Sequence, residues 1–327
     1  MRIKIGIIGF GKIGQARYKI LNRLKNICEV TRICDPSLIN VKGVICSENY
    51  NDIINDKEIS SVFICTPNYL NYPITKKCLI AKKNVFCEKP PTINLSQIKK
   101  IIKLENMHKN KLMYGFNHRE HESIKKMKKI IDQKKLGKIL WIRGRYGKSV
   151  DKDFFKSWRS VKKYAGGGIL IDQGIHMLDL FMHLSGDFNR VLSSLSNLFW
   201  KGDVEDNAFI ILENTKTKVT ASLHSTMTQW RHLFSLEIFL EKGYLVLNGL
   251  KTSSNSYGKE VLTIAKNKNQ PSVKWISEKK EIYKIEKSFE KEIKYFLSCI
   301  KNNNKIIQSN SYDALRLMTL VSKIYRK

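Results

Sequence analysis

The segment Gly9-Phe10-Gly11-Lys12-Ile13-Gly14 constrains this chain more than any other feature. It follows the short apolar run Ile3–Ile8 and opens a stretch of helical periodicity reaching about Asn26. In a strand that turns sharply into a helix, the first glycine of G-x-G-x-x-G makes the turn. The second lets a pyrophosphate approach the backbone, and the third lets helix and strand pack closely. Dinucleotide phosphates would then sit on the N–H groups at the helix start. A second run, residues 29–34, ends in Asp35, 21 residues beyond Gly14, close to the ~20 expected for a carboxylate on the ribose hydroxyls. Such a carboxylate accepts from a 2′-OH and repels a 2′-phosphate, which favours NAD over NADP. The plainer use of Asp35 is to cap a turn.

The rest of the first third keeps this rhythm. Residues 41–46 read as a third strand, followed by a weak helix at 50–55. Residues 61–65 make a fourth strand closed by Thr66-Pro67-Asn68. A helix over 69–82 leads to strand 84–87, closed by Glu88-Lys89-Pro90; a helix over 95–108 and strand 111–116 follow. Short apolar strands alternating with helices mean a parallel, doubly wound sheet. Both closing motifs lie past carboxyl ends of strands, where such sheets bind ligands. A lysine there is either a surface charge or, among apolar strands beside a cofactor, a donor to a substrate hydroxyl.

The second half changes character. After a Lys-rich helix at 120–134, Gly137 turns the chain into strand 139–146. A loop rich in charge and aromatics spans 147–163, before Gly166-Gly167-Gly168 and an apolar helix to about Leu184. Strands near 191–198, 207–212, 218–225, 233–240 and 244–247 come at hairpin spacing, and helices at 289–300 and 312–325 close the chain. That is an α+β pattern with a mostly antiparallel, open sheet. The expected division is residues 1–118 and 119–327, with the last helix packing back on the first domain.

The apolar helix carries a narrow polar stripe. Counting ~100° per residue from Asp172, His176 falls at ~40°, Asp179 at ~340° and His183 at ~20°. Burying such groups is costly unless they pair or face a polar cavity. A structural network inside a packed core is one reading. The other is an active-site wall, with His176 as general base, Asp172 contacting substrate and Asp179 orienting the histidine. The three residues alone make a poor metal site.

Composition bounds the partners. The formal charge is +30, from 59 basic and 29 acidic residues. Only 12 of the cations are Arg and 47 are Lys; they are spread along the chain without a helix-turn-helix, zinc-finger or RNP signature. This indicates solvated lysine-rich faces, not a nucleic-acid site, and suits an anionic small substrate equally well. No run approaches the ~20 apolar residues of a membrane span. The start is basic, but its apolar run is too short for a secretory leader. The seven cysteines are scattered, with no C-x-x-C pair, so reduced thiols in a cytoplasmic protein are expected, not a disulfide framework.

Taken in order, G-x-G-x-x-G, T-P-N, E-K-P, G-F-N-H-R at residues 115–119 and G-G-G-I-L-I-D-Q-G-I-H-M-L-D at residues 166–179 resemble the Gfo/Idh/MocA oxidoreductases, the family of glucose–fructose oxidoreductase and inositol dehydrogenase. The resemblance implies an N-terminal Rossmann domain and a C-terminal α/β domain whose open sheet mediates homodimers or homotetramers. It implies hydride transfer between a nicotinamide and a hydroxyl of a sugar, nucleotide-activated or acidic sugars included. Lys89, Asp172 and His176 would be catalytic. The cofactor would lie on Gly9, Gly11, Lys12, Ile13, Gly14, Asp35, Thr66, Pro67, Asn68, Glu88 and Lys89. Asn117, Arg119, Tyr146, Trp158 and Arg159 are the further substrate-binding candidates, an aromatic face with donors that suits a sugar ring. The sequence departs from the family at Asn71, where a histidine is common. Two other activities stay open: glycoside cleavage by transient oxidation on bound NAD, and non-catalytic NAD-dependent sugar sensing.

Overall fold

A computed structural model describes residues 2–37, 40–267 and 277–326. The chain divides into two units. The first contains residues 1–117, 163–166 and 289–318; the second contains residues 118–162, 167–288 and 319–327. Residues 163–166 and 289–318 cluster with the first unit; the last of these begin the closing helix, which is expected to pack there.

In the first unit the elements run β1 (Ile3–Ile8), α1 (Lys12–Leu21), β2 (Cys28–Cys34), β3 (Ile45–Ser47), α2 (Asn51–Asn55), β4 (Ser61–Ile64), α3 (Asn68–Ile80), β5 (Asn84–Cys87), α4 (Leu95–His108) and β6 (Leu112–Tyr114). Among the described residues these strands form one parallel sheet in the order β3-β2-β1-β4-β5-β6, the doubly wound dinucleotide-binding order. β3 is shorter than expected and begins only at Ile45, after a turn with Gly43 at φ +76°. The core is continuous apolar strand, as a sheet covered on both faces requires: Ile5, Ile7, Phe63 and Phe86 have no exposed surface. Phe63 stacks on Phe86 with centroids 4.9 Å apart, and Phe296 meets both edge-on.

In the second unit α5 (Glu122–Asp132) precedes β7 (Ile139–Ser149). The expected loop then holds two 3-10 turns, Lys152–Lys156 and Trp158–Ser160, and α6 (Lys162–Ala165) returns to the first unit. α7 (Ile175–Ser185) leads to β8 (Arg190–Ser196), β9 (Asn207–Glu213), β10 (Thr220–Thr226), β11 (Thr228–Leu240), β12 (Gly243–Asn248), β13 (Glu260–Lys266) and β14 (Lys279–Tyr283). The chain closes with α8 (Ser288–Lys301) and α9 (Ser311–Tyr325).

The sheet order among the described residues is β14-β13-β12-β11-β7-β10-β9-β8. All pairings are antiparallel except β7 with β10. Strands β13 and β14 were not foreseen. β14 begins Lys-Lys-Glu, the charged character by which an edge strand avoids further pairing and loses its apolar signature. Gly144 on β7 lets α7 approach: a Cβ there would lie 2.7 Å from Met177 Cγ and from Phe181 Cζ. Among the described residues no helix is long and apolar enough to cross a membrane, and no cysteine is in a disulfide.

Candidate active site

In the first unit the glycine turn has the division of labour the motif predicts. Gly9 has φ +89°, and a Cβ would lie 2.6 Å from the carbonyl oxygen of Cys65. A Cβ on Gly14 would lie 2.0 Å from the Gly9 oxygen, so neither position tolerates a side chain. Gly11 differs. It is exposed, a Cβ would meet nothing within 4 Å, and it caps α1 without any side-chain hydrogen bond. Lys12 and Ile13 are also exposed. This leaves an open cradle at a helix N-terminus, which fits a dinucleotide pyrophosphate.

Asp35 does more than mark the end of β2. Its Oδ2 accepts from the Phe10 amide at 2.6 Å and its Oδ1 from the Ser37 amide at 3.0 Å. It therefore straps the glycine turn to β2, the turn-capping use raised above. A carboxylate has about four lone-pair sites, so acceptor capacity remains for ribose hydroxyls.

The two loops past β4 and β5 are sewn together by a residue that breaks the family pattern. Buried Asn71 accepts from Thr66 Oγ1 at 3.1 Å and donates from Nδ2 to the carbonyls of Pro90 at 2.9 Å and Glu88 at 3.2 Å. Pro67 caps α3, and Asn68 gives its amide to the Ala165 carbonyl at 2.8 Å. Glu88, expected on the cofactor, is held by Arg17, whose Nε and Nη2 donate to Oε1 at 2.9 and 2.5 Å. Arg17 is wholly buried, and its Nη1 also meets Glu292 at 2.5 Å. Lys89 follows, half-buried, with a cis peptide to Pro90.

In the second unit the helix expected from Gly168 does not start as an α-helix. The Glu205 carboxylate accepts from the amides of Gly168 at 2.8 Å and Leu170 at 3.2 Å and is itself held by the Tyr325 hydroxyl at 2.7 Å. A π turn over Leu170–Gly174 then carries Asp172, and α7 follows with His176 in its first turn. Single π turns inserted in α-helices recur at functional sites; an even ~100° wheel cannot reveal one.

Asp172 pairs with Lys148, a residue the sequence did not single out, on the same inward face of β7 as Tyr146. Burial and then the Lys148 charge pull the His232 imidazole below its ordinary value. His176 is 6% exposed, and its ring stacks on that of His118 at 4.0 Å and 18°. His118, in the G-F-N-H-R segment, is not among the sequence candidates; its Nε2 lies 3.0 Å from the Tyr146 hydroxyl. Burial drives the Tyr146 phenol well above its ordinary value, so it stays neutral.

Asp179 is expected to orient His176, and Arg119 to clamp an anionic group. They also meet each other: Arg119 Nε and Nη2 donate to Asp179 at 2.8 and 2.5 Å, with both residues buried. A buried bidentate pair of this kind fixes structure. Nearby, His121 meets Glu260 at 2.9 Å, joined by Ser123 at 2.5 Å. Burial raises the Glu260 carboxyl, but these bonds outweigh it and leave it below the ordinary range. Asn117 is the last residue of the first unit's leading segment. Trp158 and Arg159 form a cation–π pair at 4.5 Å.

An α/β unit with the dinucleotide-binding strand order and a second unit that buries a histidine beside an aspartate on one helix define a nicotinamide-type oxidoreductase architecture. The chain belongs to the Gfo/Idh/MocA family. Residues 3–116 match the oxidoreductase family's NAD-binding Rossmann fold, and residues 124–246 match the GFO/IDH/MocA C-terminal domain. The uncharacterized oxidoreductase YrbE of Bacillus subtilis is 27% identical over 210 residues, 62% of this chain and 57% of that protein. The chain thus matches little more than half the length of that relative. Myo-inositol 2-dehydrogenase of Thermotoga maritima is 25% identical over 266 residues, 77% of each chain. The solved structure of a levoglucosan dehydrogenase with NADH and levoglucosan shares the fold, with TM-score 0.87 at 21% identity over 99% of this chain and 96% of that one.

Proposed function

We propose that this protein is an NAD-dependent dehydrogenase acting on a hydroxyl of a sugar or cyclitol, with residues 1–118 as cofactor domain and the remainder binding substrate. The observation that carries the reading is Asp172 and His176 on one capped, π-turned helix, within a family whose other domain here offers the open Gly11 cradle. Gly9, Gly11, Lys12, Ile13, Gly14 and Asp35 would hold the dinucleotide, with Thr66, Pro67 and Asn68 at the next strand end. NAD, when bound, supplies a hydride acceptor at its nicotinamide.

The chain's own groups do the rest. His176 takes the hydroxyl proton as the carbinol C–H hydride departs and the C–O bond becomes a carbonyl. Lys89 donates a hydrogen bond to the same oxygen and stabilises the charge that develops there. Asp172 accepts from a neighbouring hydroxyl and holds the ring in register. Lys148 beside Asp172, together with Arg159, supports a substrate bearing an anionic group, either a carboxylate or an activating phosphate.

The outer face of the second sheet supports self-association. Trp141, Phe239 and Tyr244 stack across β7, β11 and β12. Leu192, Phe209 and Ile211 are each about half or more exposed on β8 and β9. Between these two apolar groups the same face carries the Arg143–Glu237 ion pair; exposed apolar side chains rimmed by polar ones mark an interaction site, and we assign the face to a homodimer or homotetramer. Free cysteines throughout suit the cytoplasm.

The test is NADH formation by protein incubated with NAD and a panel of neutral sugars, sugar acids, nucleotide sugars and cyclitols. His176→Ala and Lys89→Met should each lose on the order of 10²-fold in kcat with NAD affinity unchanged. Near-full turnover in His176→Ala would refute the assignment of the base. Release of an aglycone without net NADH would redirect the reading to glycoside cleavage.

A further inference from the structure

The mechanism above uses His176 but not the ring stacked against it. His118 sits on a 3-10 turn, Asn117–Glu120, and is 5% exposed. Its ring lies 4.0 Å from His176, nearly parallel at 18°. The turn that presents it is tied to the same helix by its neighbour. Arg119 is bidentate to Asp179, three residues beyond His176 and hence on the same face. From the other side Tyr146 holds His118 Nε2 at 3.0 Å. The chain of bonds continues: the Tyr146 hydroxyl bonds to Tyr257, and Tyr257 donates to Gln173 Oε1 at 3.2 Å on the π turn that carries Asp172.

We propose that His118 is a positioning residue for His176, a flat shelf that fixes the plane of the base; this rests on the reading of His176 as that base. A histidine on a helix has a soft outer torsion, broad and roughly two-fold. Contact of one face with a parallel ring removes that freedom, and the shelf is itself immobilised at both ends, through Tyr146 and through Arg119. Stacked rings point their N–H groups edgewise, so this geometry passes no proton between the two imidazoles. It sets an orientation. A misplaced general base loses rate steeply, since a displacement of about 1 Å can cost on the order of 10²-fold.

Flatness, not the hydrogen bond, is then what His176 needs. His118→Phe keeps a ring and gives up the bond to Tyr146; His118→Leu keeps bulk without a plane. Ring 15N–1H spectra of selectively labelled histidine in the NAD-loaded protein read the geometry without any substrate. One sharp set of His176 signals is expected in wild type and His118→Phe, with broadened or doubled signals in His118→Leu. With the fastest substrate of the panel, His118→Leu should lose at least about tenfold in kcat with KM for NAD unchanged, and His118→Phe should recover most of it. Melting curves of the NAD-loaded variants confirm that both are folded. Wild-type signals and kcat in His118→Leu overturn the proposal, as does an equal loss in Leu and Phe. His176→Ala separates the two ideas. If it stays active, the base assignment fails. If it is dead while both His118 variants behave as wild type, only the positioning role fails.

Discussion

Replacing Arg17 by methionine removes the guanidinium that Glu88 and Glu292 share while keeping much of its bulk. Arg17 has no exposed surface, and its partners are 8% and 1% exposed. Both contacts are 2.5 Å, and the guanidinium also lies 4.6 Å over Phe86 and 4.1 Å over Phe289. Breaking a buried pair by deleting one partner costs about 3–5 kcal/mol, because the charge left behind loses a counter-ion where water cannot replace it. Here two carboxylates are left.

Their folded-state pKa values must then rise above the unfolded ones. Groups raised in this way stabilise the fold below their unfolded pKa and lose that contribution as pH increases. The deficit of Arg17→Met is therefore largest at pH 8 and shrinks toward pH 5. At roughly 1.5 °C per kcal/mol for a chain of 327 residues, the melting midpoint at pH 8 should fall by about 5 °C. Adding Glu88→Gln and Glu292→Gln should recover most of the loss, since neutral amides need no counter-charge. The assay is thermal melting of the four proteins at pH 5 and pH 8. A drop of under ~2 °C at pH 8, or a triple variant no better than the single, would refute the reasoning. The stake is functional, because Arg17 ties α1, which opens at the glycine turn, to the loop that carries Lys89.

Three further outcomes are expected. NAD should bind at least tenfold more tightly than NADP, about 1.4 kcal/mol, and Asp35→Ser should narrow the gap; equal wild-type affinities by titration would end the ribose reading. Burial pushes the Glu105 carboxyl up to about 7, against an opposing hydrogen bond to Ser311. A raised carboxyl stabilises the fold at low pH and loses that contribution between about 4.5 and 7, so Glu105→Gln should gain about 3 kcal/mol over wild type at pH 8 and nothing at pH 4 in urea titrations. Gly144→Val should cost about 1–3 kcal/mol by overpacking against Met177 and Phe181 and lower kcat by moving the helix that carries His176; a variant with unchanged stability and rate would show that α7 does not need that gap.

The local motifs were legible because their causes are local. The tight turn at Gly9 and the close approach at Gly14 follow from backbone sterics within a few residues, and Asp35 is read from where the next apolar run ends. The alternation of apolar runs was enough to give a parallel sheet followed by a mostly antiparallel one. What a side chain touches across the fold is a different matter. Asp179 and Arg119 are 60 residues apart, and nothing in either neighbourhood says that each neutralises the other.

Lys148 beside Asp172, Arg17 under Glu88 and His118 against His176 likewise depend on which faces meet when strands and helices pack. The π turn at Asp172 is invisible to a periodicity count because it changes the period itself. β14 was missed because a lysine-rich edge strand lacks the apolar alternation that marks a buried one. The sequence by itself determined the turns, the periods and the residues able to do the chemistry. Which of those charges are neutralised in the interior, and which imidazole has its plane fixed, was decided only by long-range packing, where burial makes each unpaired charge too costly to leave alone.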